Sequence, residues 1–158
     1  MNVRTISPEQ ALSKLMTYCS KMERNEQDVR KKLQLWAISE NDSKKIIARL
    51  QDDGFISQER YVSSYIRGKF VYNKWGKTKI KYGLLQKGFK DSLIQPLLDD
   101  FFETVDYKKT ITKELQKKNK TLHTDDLYER KAKLMQFAQS RGYEFDVALS
   151  CVEKIINS

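Results

Sequence analysis

Apolar residues return at three- and four-residue intervals along most of the chain. They recur at Leu12, Leu15, Met16, Cys19 and Met22, then at Val29, Leu33 and Trp36, then at Ile46, Ile47 and Leu50. On a helix of 3.6 residues per turn each set lies along one face, which another element must cover. The polar residues between them punctuate the same helices. Ser7-Pro8-Glu9-Gln10 supplies a hydroxyl cap, a proline at the first helical position and the glutamine of a capping box. Asn25-Glu26-Gln27-Asp28 caps a second segment that ends near Ala37, and Asn41-Asp42-Ser43 caps a third. Gly54 stands where a helix needs a left-handed residue to finish.

The order of elements then starts again. Tyr61, Val62, Tyr65, Ile66 and Phe70 predict a helix that breaks near Asn73 to Gly76; Ile80, Leu84 and Leu85 predict another that stops at Lys87-Gly88-Phe89. Gly88, like Gly54, is expected to take a positive φ. Asp91 opens a helix with Leu93, Ile94, Leu97, Leu98, Phe101 and Phe102, in which Pro96 removes a backbone hydrogen bond and predicts a late start or a kink. A third round uses Tyr107, Ile111 and Leu115, a polar link from Lys117 to Thr124 expected to be flexible, then Leu127, Leu134, Phe137 and Ala138. It reaches Arg141-Gly142-Tyr143, which echoes Lys87-Gly88-Phe89, and closes on Ala148, Cys151, Val152 and Ile155.

A period of roughly 45 to 55 residues is that of helical units stacked side by side around a continuous core. The expected class is all-α, with tandem three-helix repeats over 1–56, 57–103 and 104–158 forming an elongated, curved helical array. A single irregular bundle, in which glycine closes helices by coincidence, is the alternative that spacing leaves open.

Composition narrows the function. Six glycines and two prolines among 158 residues are too few to punctuate a sheet-rich fold, and 39% apolar residues suffice for a core without disulfide or metal. No apolar run approaches a membrane span, and Met1 to Ile6 lacks an apolar signal core, so a cytoplasmic protein is expected. Cys19 and Cys151 occupy apolar positions without metal-ligand spacing and read as buried thiols; His123 lies in a polar connection and reads as a surface or capping residue. There is no Gly-rich phosphate loop, metal-ligand triad or Ser/His/Asp set, and Asp52-Asp53 and Asp99-Asp100 end helices. The chain therefore reads as a binding protein with no cofactor and no metal, not as an enzyme.

The formal charge of +9 is concentrated in the middle third. No acid stands between Glu59 and Asp91, whereas Arg60, Arg67, Lys69, Lys74, Lys77, Lys79, Lys81, Lys87 and Lys90 all lie there. Helices usually intersperse acids to form i,i+4 pairs, so this run suits an anionic partner. Phe70, Tyr72, Trp75, Tyr82 and Phe89 interleave with the bases, as phosphate contacts beside stacking platforms would, although Tyr65, Phe70 and Trp75 also fit core positions. The nine bases are the candidate partner- or DNA-binding residues. Whether they meet nucleic acid or an acidic protein surface is left open by charge alone.

Several segments resemble the RecX family. Gly54-Phe55-Ile56-Ser57-Gln58-Glu59-Arg60-Tyr61, followed by Tyr65-Ile66-Arg67, is similar to its junction between first and second repeats. Gly76-Lys77-Thr78-Lys79-Ile80, Leu84 and Lys87-Gly88-Phe89 are similar to its glycine, basic-isoleucine, leucine and Lys-Gly-apolar pattern. The likeness extends more loosely over Ala11 to Leu50 and to Arg141-Gly142-Tyr143. Ser57 and Gln58 replace an acidic residue usual in the family, and Ala37 stands where glycine is common. The resemblance implies a monomeric repeat protein lying along the groove of a RecA recombinase filament on single-stranded DNA. It would reach DNA through the filament, touch no membrane, and restrain recombination, DNA repair and the SOS response by steric and electrostatic means. Two other readings compete with it: a stand-alone nucleic-acid-binding module that places one helix in a duplex groove, and a helical scaffold that binds only protein.

Overall fold

The computed structural model describes residues 6–158, so the reading of Met1 to Thr5 lies outside the described residues. These form an all-α helical repeat fold of nine helices with no strand among the described residues: α1 (Pro8–Lys21), α2 (Glu26–Leu35), α3 (Glu40–Asp52), α4 (Gln58–Asn73), α5 (Lys77–Gln86), α6 (Asp91–Glu103), α7 (Tyr107–Asn119), α8 (Leu127–Arg141) and α9 (Phe145–Ile156). The chain divides into two compact units, Met1–Ser64 and Tyr65–Ser158, at a boundary that falls within the residue range of α4.

In the first unit the capping chemistry matches the spacing. Ser7 Oγ accepts from the Gln10 amide while Gln10 accepts from Ser7, at 3.1 and 2.9 Å. Asn25 and Asp28 reciprocate in the same way at 2.7 and 2.9 Å, which satisfies Asn25 although it is only 8% exposed. The third cap differs from expectation. Ser39, not Asn41-Asp42-Ser43, accepts from the Asp42 amide, at 3.2 Å; the three expected cap residues form the first turn of α3, and Ser43 is buried. The core joins Ala11, Leu15 and Cys19 to Val29, Leu33, Ile46, Ile47, Leu50 and Ile56. Helix α1 therefore points its i,i+4 row from Ala11 inward, with Leu12 and Met16 at the edge and Met22 exposed beyond its last turn.

Positive φ falls at glycines and at two residues that carry a Cβ, Ala37 and Lys74. Gly54 and Gly88 have φ of +75° and +93°, as expected of helix-ending glycines. Ala37 adopts +55°, a left-handed conformation that costs a residue with a Cβ roughly 1 kcal/mol. Its amide and that of Ile38 donate to Gln34 and Leu33 at 3.0 Å each, closing α2 as a glycine would. Helix α6 starts at Asp91 without delay and keeps Pro96 in its interior; the position is exposed, so water can serve the carbonyl left without a donor. The link expected to be flexible is helical to Asn119. The turn after it is tied by Arg130, which donates to Asn119 Oδ1 at 2.6 Å and to the Thr124 carbonyl.

Within the second unit, α5 is joined to the end of α8 through backbone. Gly76 provides no side-chain cap for α5. Its amide instead donates to the Arg141 carbonyl at 2.6 Å and the Thr78 amide to the Gly142 carbonyl at 3.1 Å. The Lys77 amide donates to Tyr107 Oη at 3.0 Å, and that hydroxyl donates onward to Glu144 Oε1 at 2.5 Å. Tyr143 Oη donates to the Lys74 carbonyl at 2.6 Å, and Arg141 to that of Asn73 at 3.2 Å. Beneath the joint, Phe70, Phe102 and Tyr107 stack edge to face, with Phe102 4.8 Å from Tyr107 and 5.1 Å from Phe70 between ring centroids.

Gly142 meets two demands at once: its φ is +83°, and a Cβ there would overlap the backbone of Lys79. A Cβ on Gly54 would meet nothing. Gly54→Val is therefore expected to cost about 1 kcal/mol through backbone strain alone, and Gly142→Val roughly 2–4 kcal/mol by adding the lost contact between helices. Urea unfolding of the two variants measures the difference; equal costs would show that the approach of α8 to α5 adds no constraint.

Candidate functional site

The basic run folds into positions of several kinds. Two of its members find acids that lie beyond the acid-free interval. Arg60 pairs with Glu23 at 2.9 Å, and Lys81 pairs with Asp91 and donates to Gln95 Oε1, both at 2.8 Å. The interval is acid-free along the chain but not in space.

Most of the others lean on aromatic rings. In the second unit the ammonium groups of Lys69 and Lys79 each lie 4.6 Å from the centre of the Trp75 ring, and Lys69 is also 5.5 Å from Tyr65. Lys87 approaches Tyr65 at 6.0 Å. Lys79 donates in addition to the Ser140 carbonyl at 3.1 Å. Lys77 sits 5.2 Å from Phe102 and 5.0 Å from Tyr107, and Arg67 lies 5.7 Å from Phe101. A cation over a ring face is held by the ring quadrupole while its stem covers apolar surface, so these charges occupy defined positions and stay partly hydrated. Lys74 has φ +58° and ends α4 with its amide donating to Phe70 at 3.1 Å; Lys90 is the exposed N-cap of α6.

Structure also sorts the interleaved aromatics. Phe70 is buried, Tyr65, Trp75 and Phe89 are half-buried, and Tyr72 and Tyr82 stand out at 84% and 60% exposure. The arrangement that results is a surface of α4, α5 and the link between them on which Lys69, Lys79 and Trp75 meet, with two exposed tyrosine rings on the same helices. Such a surface can offer hydrogen-bonding cations to phosphate or carboxylate oxygens and ring faces to bases or apolar side chains.

Several residues that position this surface carry no signal in the sequence. Glu114 is 8% exposed within α7 and faces Arg141 at 3.9 Å and Lys117 at 3.5 Å. Glu144 receives the Tyr107 hydroxyl, which in turn holds the amide of Lys77. Burial pushes the Tyr143 phenol up to about 12. Burial, and then the bond to Glu144, raise Tyr107 well above the usual phenol range. Cys19 and Cys151 are buried free thiols, and burial raises Cys19 so that it is kept from the reactive thiolate form. Among the described residues no helix is long and apolar enough to cross a membrane.

Comparison with known proteins places these features in one family. The family models described as RecX, second three-helix domain, and RecX, third three-helix domain, match residues 57–98 and 106–152. The regulatory protein RecX of Clostridium perfringens (strain 13 / Type A) is 29% identical over 137 residues, covering 85% of this chain and 63% of its own length. The regulatory protein RecX of Clostridium botulinum (strain Eklund 17B / Type B) is 30% identical over 140 residues, covering 86% and 65%. The chain thus spans less than two thirds of the length of either relative. The crystal structure of RecX from Lactobacillus salivarius shares the fold, with a TM-score of 0.82 at 21% identity over 96% of this chain and 97% of that one.

The two buried phenols set an alkaline limit to stability. A phenol whose pKa is raised by folding stabilises the protein fully below its ordinary value of 10.0, and that contribution is lost as pH rises through about 12 for Tyr143. Tyr143→Phe removes the bond to the Lys74 carbonyl, at an expected cost of about 1 kcal/mol near neutrality. It should also flatten the fall in stability between pH 10 and 12. Denaturant midpoints followed alongside phenolate absorbance check both effects.

Proposed function

The chain belongs to the RecX family of regulatory proteins, and on that premise we propose that it binds a RecA-type recombinase filament on single-stranded DNA and restrains recombination, DNA repair and the SOS response. The observation that carries the reading is the meeting of Lys69 of α4 and Lys79 of α5 over Trp75 in the link between them, with Tyr72 and Tyr82 exposed on the same two helices. Cations fixed on rings, without the carboxylate that neutralises Lys81, suit a polyanionic surface presented at a set spacing.

In this reading the protein acts as a cytoplasmic monomer without catalysis, its three repeats spanning 1–56, 57–103 and 104–158. The nine bases contribute unequally. Lys69 and Lys79 face the partner through their ring-held ammonium groups, with Arg67, Lys74, Lys77, Lys87 and Lys90 around them, while Arg60 and Lys81 share their charge with Glu23 and Asp91. Action is by occupancy: a bound chain obstructs the motions or partners that the filament needs.

Co-sedimentation with a recombinase filament, against single-stranded DNA alone, tests the reading across several salt concentrations. The filament is expected to bind more tightly. If about four bases meet phosphates, log affinity for single-stranded DNA should fall against log salt with a slope near −3, about −0.7 per contact. Equal affinity for bare DNA and filament would favour a stand-alone nucleic-acid module. Lys69→Glu with Lys79→Glu is expected to weaken filament binding at least tenfold, roughly 1.4 kcal/mol, and to cost about 1–2 kcal/mol of stability through the lost cation–ring contacts, which leaves the chain folded. Unchanged binding by the folded double variant would remove these residues from the interface.

A further inference from the structure

The second unit carries a cleft of about 480 Å³ on α8 and the start of α9. One wall is the row Ala132, Met135, Gln136 and Gln139, a single face of α8 distinct from the one that buries Leu134 and Ala138. Phe145, 71% exposed in the first turn of α9, stands at the cleft, and its floor includes the buried Ala148. The volume lies within the roughly 300–1,000 Å³ typical of sites that enclose a ligand group. A methionine and two glutamines along the wall can repack around side chains of different shape.

Its charge is opposite to that of the protein. Among the described residues that line the cleft, Glu144 is the one acid and there is no base, in a chain of net charge +9. Tyr107 donates to one oxygen of this carboxylate at 2.5 Å and holds it in place. A fixed carboxylate beside apolar walls repels phosphate and attracts a cation, so the cleft does not suit nucleic acid. Nor does it suit a second copy of this chain. A stable dimer needs about 800 Å² from each partner, far more than a cleft for one or two side chains supplies, and two chains of this charge repel.

We propose that the cleft receives a protein segment bearing an apolar side chain with a lysine or arginine beside it, the apolar group entering between Met135 and Phe145 and the cation meeting Glu144. Resting on the filament reading above, the inference assigns that segment to the recombinase. The chain then grips the filament by two chemistries, cations on α4 and α5 and an apolar, anionic cleft on α8 and α9.

The test uses the full chain with Phe145→p-benzoylphenylalanine, a photoreactive change that adds a benzoyl group at an exposed position, mixed with the recombinase filament. Sedimentation is read first: a wild-type chain that does not sediment with the filament overturns the filament reading, and this assignment with it. Where it sediments, irradiation is expected to join the label to the recombinase, at a peptide containing a basic residue. An adduct with DNA or with a second copy of the chain overturns the cleft assignment and leaves the filament reading standing. A second variant, Phe145→Ala with Gln136→Arg, removes the apolar wall and opposes the incoming cation at two exposed positions. It is expected to lower filament affinity tenfold or more with its melting curve unchanged; wild-type affinity in this variant likewise overturns the cleft assignment.

Discussion

The amides that open α5 have no side chain at their own cap to receive them, because Gly76 stands there, and only that of Lys77 finds one elsewhere, the Tyr107 hydroxyl. Backbone donors at a helix start must find acceptors, and here the carbonyls of Arg141 and Gly142 take that part. The end of one helix, rich in unpaired carbonyls, thus meets the beginning of another, rich in unpaired amides, and the two partial charges are opposite. Much else in the second unit follows from this contact. It sets Lys77, Thr78 and Lys79 at the first turn of α5, brings Lys79 to Ser140, places Tyr107 between the Lys77 amide and Glu144, and draws Tyr143 to Lys74. Basic surface and anionic cleft share this frame, for Thr78 lines the cleft and its two neighbours are bases of the run.

Helix content was legible because it rests on local rules. The boxes at Ser7 and Asn25 and the turns at Gly54 and Gly88 depend on residues within a few positions of one another. Errors arose where a local rule had two solutions. Ser39 and the run Asn41-Asp42-Ser43 can each cap α3, and the helix begins at the earlier one, which leaves Ser43 buried in its first turn. Met22 continues the spacing of α1 but falls after its last turn and stays exposed. Pro96 forbids one hydrogen bond, a loss an exposed position tolerates, so the helix continues through it.

The candidate site was legible only as a stretch of chain. An acid-free interval is a property of sequence order, whereas neutralisation depends on distance, and Glu23 and Asp91 reach two of its bases from outside. The ring partners of Lys69 and Lys79 also lie beyond one-dimensional reading: Trp75 fits a core stripe as well as a platform, and in the fold it is half-buried and serves both ends. Nothing near Glu144 in the sequence announces a cleft, since its walls come from α8 and α9 and its carboxylate is held by a tyrosine of α7.

The joint between α5 and α8 also orders events in time. Its side-chain bonds connect residues 61 to 69 positions apart, which makes them among the late contacts of a chain whose helices otherwise assemble from near neighbours. During synthesis α5 leaves the ribosome before its acceptors at Arg141 and Gly142 exist, so its start must wait, hydrated and frayed, for α8 to arrive. The second unit can close only from its C-terminal end, and a nascent chain cut short within α8 displays the lysines of α5 on a helix not yet anchored.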